Sequence, residues 1–347
     1  MPSLKERLLS GVGPCVIIAE AGVNHNGDVA LAKQLIDAAR EAGVDAVKFQ
    51  TFRSDRVASP SARKAPYQVE TTNPKESQLA MLRELELSPE AHSELQAHAR
   101  RRGLTFLSTP YDEESSDLLD DLGVPVFKIA SAECTNLPLL RHVARKGKPI
   151  ILSTGMCFIG DVDEAVRAIR DAGNQDLVLL HCLSNYPADP EDVNLRAMKT
   201  LEVAFSLPVG YSDHAPGHIL AVGAVAMGAR VIEKHFTIDR SLPGPDHRAS
   251  LEPEELRVLV RDIRLLESAL GDGQKQPTPS ELPNLLTMRR SIAAAVSIPA
   301  DTVLASGMLT ALRPGTGISP RFVAEVVGRR VRRSLASGQL LDWSDLW

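Results

Sequence analysis

The chain has 347 residues, 44% apolar and 24% charged, with a formal net charge of −5, an ordinary globular composition with length for one large barrel plus an appendage, or two domains. The acidic balance gives no sign of general nucleic-acid affinity, and no apolar run reaches the roughly 18 residues of a membrane span. The scattered Cys15, Cys134, Cys157 and Cys182 form no CxxC pair and read as reduced thiols.

In chain order, the opening "MPSLKERLLSGVGP" lacks the apolar core of a signal peptide, so a cytoplasmic protein is expected. Eight apolar runs follow as strand candidates: 15–20 (CVIIAE), 45–50 (DAVKFQ), 104–109 (LTFLST), 125–131 (PVFKIAS), 149–154 (PIILST), 177–182 (LVLLHC), 207–212 (LPVGYS) and 230–235 (RVIEKH). Most are continuous, as in parallel strands buried on both faces. Amphipathic patterns at 30–43, 114–123 and 160–173 predict helices between them, the first and third ending on a glycine stop. The Gly-interrupted run 219–229 reads as a buried helix. The polar, Pro-rich stretch 52–77 is too long for an ordinary connection and predicts a functional loop over the end of the second strand.

Eight β-then-α units and no Gly-rich fingerprint after the first strand favour a (β/α)8 TIM barrel over a doubly wound sheet. After the helix at 253–271, the division is a barrel over 1–272, a linker over 273–287 and a small, mainly-β domain over 288–347. A domain of about 60 residues would lean on a partner for stability.

Barrel enzymes work where strands end. Polar residues crowd those ends here: Glu20, Asn24 and His25; Lys48 and Gln50; Ser108 and Thr109; Lys128, Ser131 and Glu133; Ser153 and Thr154; His181, Ser184 and Tyr186; Ser212, Asp213 and His214; Glu233, Lys234 and His235; then Asp246 and His247. Singly, such a Ser or Thr is usually a helix cap, such a Lys a snorkelling surface residue and such a His a satisfied structural group. Strand pleating also sends some of them outward. Lys48 and Lys128, however, sit inside apolar strands, where burial is costly without an anion. Lysines with hydroxyls and helix N-termini make a receptor for phosphate or carboxylate, so a small, multiply anionic substrate is expected. His214 and His235 end adjacent strands and suit a six-coordinate divalent ion such as manganese; iron, cobalt, zinc and magnesium stay open. A zinc hydrolase barrel wants His-x-His on the first strand, where this chain has "NHN".

The segments IIAEAGVNHNGD, AVKFQTF, FLSTPYDEES, KIASAECTNLPLL, ILSTGM, LLHCLSNYPADPEDVNL, GYSDHAPG and VIEKHFTIDRSLPGPDHRASLEPEEL together resemble the sialic acid synthase family, and the tail RRSIAAAVSI…LTALRPGTGISP resembles its C-terminal antifreeze-like (SAF) domain. The resemblance spans almost the whole chain. It implies condensation of phosphoenolpyruvate with N-acetylmannosamine to N-acetylneuraminate, with legionaminic or pseudaminic acid synthesis from a diacetamido hexose as the alternative. It implies metal ligands at His214 and His235, usually for manganese. Phosphoenolpyruvate would be held by Lys48, Thr109, Lys128, Ser131, Ser153, Ser184 and Ser212, and the sugar by Gln50, Asn73, Tyr186 and Asp246. Glu133 is the first candidate acid/base and Glu20 the second. It further implies a domain-swapped homodimer in which Arg313 enters the partner's site. Three positions depart or vary: Ala132 replaces a frequent Gly, Ser184 stands where some members have Asn, and "TMRRSI" lacks an aromatic that some place near the sugar. The rivals are a Schiff-base aldolase using Lys128, opposed by metal dependence, and a non-catalytic carbohydrate- or ice-binding module, opposed by the crowded rim. The basic run 328–334 reads as a solvated or dimer-facing surface.

Overall fold

Val, Ile and Leu fill the strands of the barrel because both faces of a parallel sheet are covered. The strands are β1 (Val16–Gly22), β2 (Ala46–Thr51), β3 (Thr105–Pro110), β4 (Phe127–Ile129), β5 (Ile150–Ser153), β6 (Leu177–Cys182), β7 (Val209–Asp213) and β8 (Val231–His235). Their order, β3-β2-β1-β8-β7-β6-β5-β4, is the circle of a TIM barrel, with β3 and β4 lying side by side where it closes. This computed structural model describes residues 2–347, and the chain divides into two units, one ending at Gly271 and the other running from Asp272 to Trp347.

The two-residue period of a strand sorts the barrel into two cores. Ile17, Ala19, Val47, Phe49, Leu177, Leu179 and Ile232 face the helices. Val16, Ile18, Ala46, Leu107, Val126, Ile151, Val178, Leu180 and Val231 fill the interior, and Leu8 of the short helix Leu4–Leu9 plugs the N-terminal end. The interior set is apolar toward the start of the strands and turns polar toward the ends of most of them. Counting on by twos from Ile18, Ala46, Val126, Ile151 and Val231 gives Glu20, Lys48, Lys128, Ser153 and Glu233. The same period sends Asp213 and Lys234 to the helix side, where they pair at 2.8 Å and Asp213 accepts from Tyr211 Oη. His181 also faces outward and bonds the Val193 carbonyl.

The segment 52–77 is not structureless. It holds the helices Ser54–Val57 and Pro66–Thr71, and a third, Gln78–Leu85, follows at once. The β4 strand is shorter than its apolar run because a 3-10 turn, Ser131–Glu133, begins directly after Ala130.

The second unit has its own core of Ile292, Ile298, Ile318, Val331, Leu335 and Leu341. It carries one antiparallel pair, β9 (Ser291–Ala294) with β10 (Leu309–Leu312). Part of the expected linker is helical, Leu282–Met288.

Candidate active site

Strand register assembles the floor of the site. In the ladders Glu20 stands beside Lys48 on one side and His235 on the other, and Ser212 stands beside Glu233. Lys48 Nζ lies 2.6 Å from Glu20 Oε2 and donates to Thr109 Oγ1 at 2.8 Å. The Glu20 contact is an ion pair without hydrogen-bond alignment, so that oxygen still has acceptor capacity. Lys128 Nζ donates to Ser153 Oγ at 2.8 Å and lies 3.4 Å from Glu233 Oε1. Glu233 also accepts from Ser212 Oγ at 2.9 Å, so one carboxylate sits between both ammonium groups.

Both lysines are buried, which disfavours their charged forms. The charges of Glu20 and Glu233 overcome that for Lys48 and hold its pKa above the ordinary value, whereas burial prevails at Lys128 and holds it below. Burial also pushes Glu20 up against the pull of Lys48; at Glu233 burial is overcome by Lys128 and Lys48, and its carboxyl is held down. One carboxylate therefore stays anionic and the other can take a proton.

The loops above this floor meet closely. Ser131 Oγ accepts from Gly155 N at 2.9 Å, and a Cβ at Gly155 would collide with the hydroxyls of Ser184 and Ser131. Glycine is what allows these two hydroxyls to converge.

His214 and His235 face each other with ring centroids 5.3 Å apart, and the Tyr186 ring lies 4.1 Å from that of His214. His214 Nδ1 bonds the Leu183 carbonyl at 2.7 Å, which fixes the tautomer and leaves Nε2 its lone pair. His235 Nδ1 is buried without a hydrogen-bond partner; its nearest carboxylate, Asp246, is 3.8 Å away. Burial, then the nearby His214, holds His235 far below the usual imidazole pKa and therefore neutral. A neutral His235 with an orphaned nitrogen, facing a His214 whose Nδ1 is already engaged by the Leu183 carbonyl, fits a divalent ion. Among the described residues no three His, Cys, Asp or Glu side chains gather to enclose one, so water or substrate oxygen would complete the shell.

A cavity of about 330 Å³ brings together Glu20, Lys48, Gln50, Thr109, Lys128, Ser131, Ser153, Ser184, Tyr186, Ser212, His214 and His235. An adjoining hollow of about 380 Å³ shares Gln50, Tyr186 and His235 with it and adds Glu133 and Asp246. Asn73 does not join them: it caps its own turn by accepting from Lys75 N and lines a separate hollow beside Pro243 and Pro245. Arg313 stands exposed on the second unit, after β10.

Sequence reading grouped Glu233 with the strand ends but gave it no role; its signal is the alternation in VIEKH, which puts Glu233 and His235 on one face and Lys234 on the other. Tyr67, Gln68 and Gln78, which also line the cavity, come from the insertion and the helix after it, where no periodicity marks them.

Residues 35–275 match the model of the NeuB family. The chain belongs to the NeuB family. Residues 289–346 match the SAF domain. This NeuB chain is 48% identical to the N,N'-diacetyllegionaminic acid synthase of Legionella pneumophila, over 98% of each chain. It is also 48% identical to the enzyme of that name from Campylobacter jejuni, over 94% of this chain and 98% of the relative. The solved N-acetylneuraminic acid synthetase of Leptospira borgpetersenii superposes with a TM-score of 0.70 at 35% identity, covering 79% of this chain and 90% of that one. As a NeuB member the chain is a sugar-acid synthase, a transferase that condenses phosphoenolpyruvate with an N-acyl hexosamine. None of its described helices is long and apolar enough to cross a membrane.

Proposed function

We propose that this chain condenses phosphoenolpyruvate with a diacetamido hexose, forming a nine-carbon 2-keto acid of the legionaminic type. The 48% identity to two enzymes named N,N'-diacetyllegionaminic acid synthase, over nearly the full length of both, carries the choice of sugar over the N-acetylmannosamine expected from sequence. The buried pair Lys48 and Lys128 supports the choice of the other substrate, because phosphoenolpyruvate brings the phosphate and carboxylate such a floor lacks.

Lys48, Thr109, Lys128 and Ser153, with Ser131, Ser184 and Ser212 around them, hold phosphoenolpyruvate with its C3 toward the histidines. Gln50, Tyr186 and Asp246 orient the open-chain sugar. Fixing both substrates in one cavity removes much of the entropic barrier to a two-substrate reaction. C3 forms the new C–C bond to the aldehyde carbon, and the aldehyde oxygen takes a proton. Water adds to the oxocarbenium carbon C2 and loses a proton to a base. The C2–O bond to the phosphate then breaks, phosphate leaving with the bonding pair while the new C2 hydroxyl gives its proton to the base or to the departing phosphate and becomes the keto oxygen. A divalent ion on His214 and His235, manganese in first place, would supply Lewis acidity at the aldehyde oxygen. Glu133 is the acid/base: Asn136 engages only Oε2, and burial holds the carboxyl above its ordinary pKa. Glu20, tied to Lys48, is the second candidate. Arg313 is taken to complete the site of a partner copy in a homodimer.

Phosphate release from phosphoenolpyruvate tests the reading, with diacetamido hexoses, N-acetylmannosamine and its 6-phosphate offered separately, with manganese or EDTA. Release that requires a diacetamido hexose and the metal is the expected result. Release with N-acetylmannosamine alone would return the sugar to the sialic acid reading.

A further inference from the structure

The hollow beside the catalytic cavity has a wall that a hexose chain of hydroxyls does not explain. Val23, Phe52, Met81 and Leu85 form a separate buried apolar cluster, with Leu82 packed against it. All five border the hollow, and Val57, still 39% exposed, joins them at its rim. Phe52, Val57 and the leucines come from the end of β2 and the helices Ser54–Val57 and Gln78–Leu85, so the insertion and the helix behind it build most of this wall. Gln50, Gln68 and Gln78 line the same hollow. Gln68 Oε1 already accepts from Ala65 N, and Gln78 Nε2 approaches the same oxygen at 3.4 Å, which turns these two amides toward each other and fixes them at the edge of the wall.

We propose that this hollow is the subsite for the acylamino group on the hexose carbon remote from the aldehyde. This rests on the reading that the substrate is a diacetamido hexose. The reacting end must lie where Lys48 and Lys128 can hold phosphoenolpyruvate, and the two cavities are continuous through Gln50, Tyr186 and His235. The far end of the sugar therefore extends into the hollow. A hydroxyl placed against Val57, Leu82 and Met81 loses water and finds no partner there. An acetamido group satisfies both halves of the hollow: its methyl covers the apolar wall and its amide meets the glutamines.

The test compares kcat/KM for a 2,4-diacetamido hexose and for N-acetylmannosamine in the wild type, Val57→Asn and Leu82→Asn, with thermal melting of each as a check on folding. Val57 is partly exposed and Leu82 only half buried, so both variants should melt near the wild type. The expected result is that the preference for the diacetamido sugar falls roughly tenfold in each variant, through the sugar KM, since one methyl in an apolar pocket is worth about 10–200-fold. An unchanged preference, with both sugars affected alike, would overturn the subsite while leaving the functional reading standing. A wild type that turns over N-acetylmannosamine and not the diacetamido sugar would instead overturn the reading on which the subsite rests.

Discussion

Glu133 illustrates how three residues set one proton. Burial raises its pKa, the amide of Asn136 at 2.7 Å pulls it down by favouring the carboxylate, and the charge of Asp112 pushes it up again. If Glu133 accepts a proton in the reaction, kcat/KM should fall on the acid side at a pH above that of an ordinary carboxyl. Asn136→Ala removes the donor to the charged form, so the protonated form persists further and the acid limb should move to higher pH. Glu133→Gln should lower kcat by about 10²- to 10⁴-fold and flatten that limb. Replacement of Asn136 with no movement of the limb, measured in a pH–rate profile, would assign the titration to another group, with Glu20 the first to examine. The sequence places Glu133 at the strand-end rim, and its acid/base role comes by resemblance alone; that it borders the outer hollow while Glu20 lies on the floor depends on the turn Ser131–Glu133, which cuts β4 short.

At the scale of elements, the strands were legible and the insertion was not, for a physical reason. A strand buried on both faces must be apolar, and where a polar residue interrupts it the two-residue period tells which side it faces: Lys48, Lys128 and Glu233 go inward, Lys234 and Asp213 outward. The segment 52–77 has no such period, because its order comes from scattered side-chain bonds, above all those of one buried cation, and from Phe52 packing on Met81 and Leu85. Lys64 Nζ, with its side chain 1% exposed, donates to Thr72 Oγ1 at 2.7 Å, to the Asn73 carbonyl at 2.5 Å and to Glu76 Oε1 at 2.7 Å. All three ammonium protons are used, and the helix that carries Tyr67 and Gln68 to the cavity is enclosed between Lys64 and its partners. This three-way bond also explains why Asn73 lies away from the cavity: its carbonyl is held by Lys64 and its side chain by its own turn. Lys64→Met should leave the floor of the barrel intact but release Tyr67 and Gln68, raising the sugar KM roughly tenfold with the phosphoenolpyruvate KM nearly unchanged, since loose positioning taxes the substrate it positions. Equal increases in both KM values in steady-state kinetics would show instead that the insertion supports the whole site.

At the scale of the whole molecule, the chain carries its floor of lysines and its two histidines in one unit and Arg313 in the other. If Arg313 serves the site of a second copy, two different inactive chains should repair each other. His214→Ala removes one imidazole of the facing histidine pair but keeps Arg313; Arg313→Ala keeps the intact barrel and loses the guanidinium. Each homodimer then has two defective sites. In a mixed dimer, the barrel of the Arg313→Ala chain receives Arg313 from the His214→Ala chain, which makes one complete site, while the other site lacks both groups. Random exchange of equal amounts puts half the dimers in this form, so mixing should restore about a quarter of wild-type phosphate release, an isologous exchange expected of a two-fold dimer. The two chains must be unfolded and refolded together, or co-expressed with different tags and the mixed dimer purified, because a swapped domain exchanges slowly. No recovery in a purified mixed dimer would mean that Arg313 acts on its own barrel or not at all, and activity retained by the Arg313→Ala homodimer would choose the second. Recovery, by contrast, would account for the small size of the SAF unit: a domain of that size would gain stability from the same interface through which it completes the active site.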